Sequence, residues 1–406
     1  MLYRTIEKTG DSLSILGYGC MRFPTRNGVI DLKKTEEQIR YAISQGVNYF
    51  DTAFPYHGGA SETILGRILS DGLRNKVKIA TKLPTYMVNT REDMDQFLNT
   101  QLARLRTDRV DYYLLHNINN KGTWDKMVSL GVLDFLTAAQ REGKILHTGF
   151  SFHGNKALLK EIIDAYPWDV CQIQYNFLDT ENQAGTEGLK YAAEKGLGIF
   201  IMEPLRGGKL AGKIPKEVES LWNQSRVKRS AAEWSFRWIW NHPEVHVVLS
   251  GMNDDNHIRE NLRIASDAFP GSFTPEELQL VEKVRDTYRR LMKVGCTGCN
   301  YCMPCPAGVN ITQCFERYNN KYLFDKKGRI DYYMWVGGFT SNPSYASLCM
   351  QCGKCEKLCP QHIPIREQLK NVARELEGPL MKPLLYLGRH GLAFMGKLQR
   401  NKKESG

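Results

Sequence analysis

Long apolar runs are missing from this 406-residue chain. The best candidate, residues 379–395, is cut by Lys382, Arg389 and His390, so nothing reaches the ~18 residues that a membrane-spanning helix needs. The opening Met1-Leu2-Tyr3-Arg4 leads into a polar stretch rather than an apolar leader, and the expected location is cytoplasmic. No Gly-x-Gly-x-x-Gly turn follows the first expected strand, which speaks against a doubly wound dinucleotide-binding sheet. Cysteine is almost absent before residue 296, where only Cys20 and Cys171 occur. A disulfide-stapled scaffold is a poor reading for a large chain without a secretion signal. Acidic residues are the minority, 44 against 55 basic ones, for a net charge of +11. Such a surplus suits an anionic partner, either a phosphate-bearing cofactor or an acidic electron carrier. Nucleic acid is not expected, because no recognition motif accompanies the charge.

What is present reads as a globular protein, 42% hydrophobic and 24% charged, long enough for a large core. Through residue 265, short apolar runs alternate with amphipathic ones. The expected strands are 13–19, 47–50, 77–81, 110–115, 148–151, 170–175, 198–203 and 246–249. Helices are expected at 33–44, 62–69, 90–105, 130–142, 156–165, 188–195, 226–240 and 256–264. Thr90, with Asp93 three residues on, has the form of a capping box. Eight strand–helix units in ~250 residues predict a closed (β/α)8 barrel, with an opening hairpin as a plug at one end. Residues 266–274 read as a linker, dividing an α/β barrel at 1–270 from a mainly helical domain at 271–406.

In such a barrel, strand C-termini and the loops beyond them face the active site. Asp51 ends the second strand, and Tyr56 follows on a loop broken by Pro55 and Gly58-Gly59. Lys82 ends the third strand and His116 the fourth. Taken singly, each has a bland reading: surface packing for Tyr56, a solvated Lys82, a helix cap at Asp51, a core imidazole at His116. Together, on successive strand ends, they make a proton-transfer site. A carbonyl reduced by hydride transfer needs a proton for the developing alkoxide. A tyrosine, with its ordinary pKa of about 10, supplies it when a neighbouring ammonium stabilises the phenolate.

These residues and their surroundings resemble the aldo/keto reductase family. The match runs through Phe50-Asp51-Thr52-Ala53, Gly66-Arg67, Thr81-Lys82, Asp111-Tyr112-Tyr113-Leu114-Leu115-His116, Gly149-Phe150-Ser151 and Gln172-x-x-Tyr175-Asn176. The resemblance implies Tyr56 as general acid, supported by Asp51, Lys82 and His116. It also implies NADP(H) or NAD(H) at the barrel mouth. Ser151 and Gln172 would meet the nicotinamide carboxamide, and Pro204, Leu205, Arg206 and Gly208 with Ser250, Gly251 and Met252 would cradle the pyrophosphate. Glu260 and Asn261 would hold the adenine. Backbone N–H groups of Gly-rich loops and helix starts are the physical basis for such a cradle. Four positions depart from the family pattern: Gly251 replaces a basic residue, His257 an arginine, Met202 an aromatic ring and Phe152 an asparagine. Arg259 or Lys209 would substitute for the missing cations.

Nine of the eleven cysteines lie between residues 296 and 359. Thr274-Pro275-Glu276-Glu277 opens a long basic helix to about residue 293. Then come Cys296-x2-Cys299-x2-Cys302-x2-Cys305-Pro306 and Cys349-x2-Cys352-x2-Cys355-x3-Cys359-Pro360. The second run has the spacing of bacterial two-cluster ferredoxins, and the first is one residue short before its last Cys-Pro. In that pattern the fourth cysteine of each run serves the other cluster. Cys296, Cys299, Cys302 and Cys359 would hold one [4Fe–4S] cluster, and Cys349, Cys352, Cys355 and Cys305 the other. Zinc is the competing metal, but it favours paired Cys-x2-Cys knuckles over runs of four with a trailing proline. Cys314 is left over and reads as a buried thiol on a helix. A final helix is expected at 363–376, followed by a basic tail from Pro379.

A nicotinamide passes two electrons at once and an iron–sulfur cluster one. The leading expectation is an oxidoreductase that reduces an aldehyde or ketone with NAD(P)H, its clusters exchanging electrons with a partner such as an acidic ferredoxin or flavodoxin. The alternative is a ferredoxin-linked reductase whose clusters feed a barrel-bound cofactor or substrate without a nicotinamide. A barrel retained only as an electron-carrier scaffold is a third reading, against which the intact tetrad speaks.

Overall fold

A computed structural model describes residues 1–324, 328–336 and 343–378. The basic tail, Gly337-Gly338 and Asn342 lie outside the described residues. Two compact units emerge, Met1–Gly212 with Val227–Val281, and Lys213–Arg226 with Glu282 onward.

The first unit is a closed eight-stranded parallel barrel. Its strands are β1 (Leu16–Gly19), β2 (Tyr49–Asp51), β3 (Lys78–Leu83), β4 (Val110–Ile118), β5 (Ile145–Phe152), β6 (Val170–Gln174), β7 (Gly198–Met202) and β8 (Val245–Ser250). Each pairs with its sequence neighbour, and β8 closes onto β1 through Val248↔Leu16 and Ser250↔Tyr18. The strands are buried on both sides and therefore read as continuous apolar runs. Helices packed outside contribute Ile39, Leu65, Leu98, Leu136, Leu159, Leu189, Phe236 and Ile258 to the core between the layers. The barrel interior has a floor of aromatic rings: Tyr49, Tyr112 and Phe200, with ring centroids 4.7–5.7 Å apart. Each fully buried ring of this size contributes roughly 1.5–3 kcal/mol.

The expected plug is an antiparallel hairpin, Tyr3–Thr5 with Ser12–Ser14. Its Ile6 and Leu13 sit in the same interior cluster as the aromatic floor, at the N-terminal strand ends. The turn residue Asp11 fastens it, accepting from Tyr112 at 2.7 Å and pairing with Lys78 at 2.6 Å.

Local signals fix the helices, with instructive exceptions. The Thr90–Asp93 capping box opens helix Arg91–Leu105 as expected. The helix expected at 130–142 is Val132–Arg141, starting after Gly131 with φ 77°, and a further helix that was not expected, Lys121–Ser129, precedes it. The helix expected from 226 begins at Ala231, because Ser230 caps it by accepting from the Glu233 N–H. Helix Lys216–Trp222 was not expected and falls in the second unit. The linker-like stretch is packed: Ala268 is in the barrel core, and Phe273 lies against Trp234 while its N–H donates to Asn241. The division between units falls inside helix Pro275–Leu291.

In the second unit, helices Ile311–Leu323 and Ile365–Leu376 pack around Phe315, Tyr318, Leu369 and Val372. Gly328–Trp335 and the short helix Lys354–Leu358 complete its described regular structure together with Lys216–Trp222, a 3-10 turn at Ala346–Leu348 and the end of Pro275–Leu291.

Candidate active site

The four expected tetrad residues converge at the C-terminal mouth of the barrel. Lys82 is fully buried, its Nζ donating to Asp51 Oδ1 at 2.7 Å and to the Thr52 carbonyl at 2.9 Å. Neighbouring strands put them there, with Asp51 opposite Ala80 in the β2–β3 ladder. Burial pushes the Asp51 carboxyl above its ordinary range, against the pull of the Lys82 ammonium and the Gln172 amide. Lys82 Nζ lies 5.3 Å from the centre of the Tyr56 ring. That ring meets His116 edge to face, 5.9 Å between centroids. Burial, then the nearby Lys82 and His153, hold the His116 imidazole well below its ordinary pKa, so it is neutral at pH 7. Its Nδ1 is buried with no protein partner among the described residues.

The loop bearing Tyr56 is held from both sides. Its turn runs through His57, Gly58 and Gly59, all with positive φ. His57 stacks on Phe23 and accepts the Phe23 N–H at 3.0 Å. Arg104 lies on the Phe54 ring, 4.2 Å from its centre, and pairs with Glu62 at 3.1 Å. Sequence reading missed this support. Glu62 Oε1 accepts from Thr81 at 2.6 Å and from Gln101 at 2.8 Å, and Gln101 also donates to the Lys82 carbonyl at 3.0 Å. Tyr113 closes the network by donating to Gln101 at 2.8 Å. A fully satisfied buried network of this kind fixes the backbone of Lys82.

Ser151 and Gln172 are register partners on β5 and β6, both buried. Gln172 Oε1 has no protein partner among the described residues. After β7, Pro204 is buried and Gly207 and Gly208 carry positive φ. Arg206 turns inward to Asp179, 3.3 Å away and buried, so its guanidinium is already paired. After β8, Ser250 accepts from Asn261 at 3.1 Å. Met252 points into the barrel core, leaving only its backbone for a ligand. Glu260 is half-buried and accepts from Ser230 at 2.5 Å. Met202 packs against the interior cluster.

In the second unit, Cys296, Cys299, Cys302 and Cys359 line one recess with Ile311, Phe315, Ile363 and Ile365. Burial and the other three sulfurs push the Cys302 thiol up to about 12. Cys355 is likewise pushed up to about 11 by burial, Glu356, Cys349 and Cys305. Cys359 of the second run thus stands with the first three cysteines of the first, and Cys305 of the first run stands near Cys349 and Cys355 of the second. Cys352 is exposed, and Cys314 is buried on its helix near Tyr332 and Ser344.

Comparison with known proteins gives the arrangement its setting. The model of the aldo/keto reductase family matches residues 15–286. The chain belongs to the aldo/keto reductase family. A 4Fe-4S dicluster domain matches residues 295–363, so this aldo/keto reductase-type oxidoreductase carries an iron–sulfur domain. An uncharacterized oxidoreductase, YrpG of Bacillus subtilis, is 30% identical over 68% of this chain and 99% of its own length. L-galactose dehydrogenase of Arabidopsis thaliana is 24% identical over 71% of this chain and 95% of its own. In fold, the barrel resembles the holo form of an aldo-keto reductase from Bacillus halodurans, with TM-score 0.59 and 23% identity over 70% of this chain and 96% of the other. Among the described residues, no helix of this aldo/keto reductase is long and apolar enough to cross a membrane.

Proposed function

We propose that the barrel reduces the carbonyl of an aldehyde or ketone with NADPH or NADH. The carrying observation is the buried Lys82, locked on Asp51 at 2.7 Å with its ammonium 5.3 Å from the Tyr56 ring. The mouth fits a nicotinamide. The unpartnered Gln172 Oε1 beside Ser151 matches the N–H donors of a carboxamide, and Gly207-Gly208 with Ser250-Gly251 offers backbone to phosphate oxygens. When bound, the nicotinamide supplies the hydride that goes to the carbonyl carbon.

The chain's own residues manage the proton. Tyr56 donates its hydroxyl proton to the carbonyl oxygen and regains one from solvent. Lys82, held charged by Asp51, stabilises the phenolate left behind. A neutral His116 orients the carbonyl oxygen by hydrogen bonding without adding a second positive charge. Asp51 acts through Lys82 as a positioning residue.

For the second unit we propose two [4Fe–4S] clusters, one on Cys296, Cys299, Cys302 and Cys359, the other on Cys349, Cys352, Cys355 and Cys305. Iron supplies the positive charge that these crowded sulfurs lack as thiolates. The exposed Cys352, between the exposed Met350 and Lys354, supports electron exchange with an acidic carrier of the ferredoxin or flavodoxin class.

Tyr56→Phe in the anaerobically purified full chain tests the barrel assignment. NAD(P)H oxidation with a panel of aldehydes should fall about 10²–10⁴-fold, with dinucleotide affinity unchanged within about twofold. An undiminished rate would remove Tyr56 as the acid.

A further inference from the structure

The loop after β8 lacks the expected cation. From Gly251 to Ile258 there is no lysine or arginine, and Asp254 and Asp255 add negative charge. A cation nevertheless stands at that place, and it comes from another strand. Arg22 follows β1, which pairs with β8 at Tyr18↔Ser250. Its aliphatic stem lies across Gly251: a Cβ built there would meet Arg22 Cβ and Cδ at 3.3 Å and Cγ at 3.5 Å. Beyond Gly251, its Nη1 donates to the Gly207 carbonyl at 3.2 Å in the loop after β7.

The side chain thus spans the ends of three adjacent strands in the order β1, β8, β7. Gly251 is not among the residues with positive φ, so its backbone does not demand glycine. The close approach of the Arg22 stem leaves little room there for a side chain. Arg22 is exposed and pairs with no carboxylate among the described residues, unlike Arg206 on Asp179. A guanidinium has five N–H donors, and the Gly207 carbonyl takes one. The rest stay available between the two loops proposed to cradle a diphosphate.

We propose that Arg22 is the phosphate-binding cation of this barrel, reaching across Gly251 to clamp the diphosphate of the dinucleotide. This rests on the nicotinamide reading above. Bidentate pairing with phosphate oxygens is what a guanidinium does best. The same crossing would latch the β1 loop over the bound diphosphate, tying the loops after β1 and β7 together above β8.

Calorimetric titration of the full chain with NADPH, NADH and ADP-ribose tests it. ADP-ribose carries the diphosphate without a nicotinamide. Arg22→Ala should weaken all three by a similar factor of at least about tenfold, the usual scale for a charged hydrogen bond, and flatten the salt dependence. Restoring a cation on the other strand, Arg22→Ala with Gly251→Lys, should recover much of the loss. Equal affinities for wild type and Arg22→Ala would overturn the assignment while leaving the nicotinamide reading intact. A loss confined to NADPH would overturn it in favour of a 2′-phosphate contact. If the wild type binds none of the three, the nicotinamide reading fails and takes the clamp with it.

Discussion

In the barrel, Asp51, Lys82 and His116 arrive on three strands locked in register, backed by the Glu62–Gln101 network. In the second unit, eight cysteines sit on two loop-rich runs, and what surrounds them is short helices and an apolar recess. The first site is preorganised by main-chain ladders and needs no ligand to hold its shape. The second gathers groups that repel one another once ionised, so its order would be linked to the clusters proposed on them. One chain therefore holds a site built by the fold beside a fold built by its site.

The widest separation between the two should appear on cluster loss. Cys302→Ser, in the recess with three other sulfurs, is expected to lower iron and acid-labile sulfide to about half. It should open the second unit to protease while the barrel's melting temperature holds. Full iron retention would dissolve the distinction. Within the barrel, Lys82→Met strands the buried Asp51 carboxylate and should cost roughly 3–5 kcal/mol in urea unfolding. Adding Asp51→Asn should return most of it.

Acid should act on the barrel through its buried histidines. Burial holds His246 down at about 4, and its Nδ1 accepts the Ile199 N–H at 3.2 Å. The unfolded chain takes up this proton near pH 6.5 and the folded barrel only near 4, so the unfolded state binds more protons in between. Stability is fully present above 6.5 and falls as the pH drops toward 4, by about 3 kcal/mol for this group. Unfolding free energies across that window, compared with His246→Gln, should show a shallower slope in the variant. The smallest effect expected is that of Thr90→Ala, which removes a capping box and should cost about 1 kcal/mol, confined to the barrel transition.

Strand ends and cysteine runs were legible because each depends on local pattern: an apolar run stopped by a polar residue, or a fixed spacing of thiols. The eight strands and the meeting of the four tetrad residues followed from that. What stayed hidden depends on partners far away in sequence. Glu62 and Gln101 look like the solvated faces of two helices, yet each is fully buried against the other. Residues 266–274 have a linker's composition, but Phe273 finds Trp234. Arg22 carried no signal at all, since its contact is with a glycine more than two hundred positions later, just past the end of the adjacent strand.

The ring of Tyr49, Tyr112 and Phe200 beneath the mouth has a practical corollary. Because Asp51, Lys82 and His116 are carried by strands of the barrel around this base, rim segments other than the loop of Tyr56 can be exchanged without unseating them. Substrate preference of the proposed reductase would thus be open to redesign by transplanting those segments.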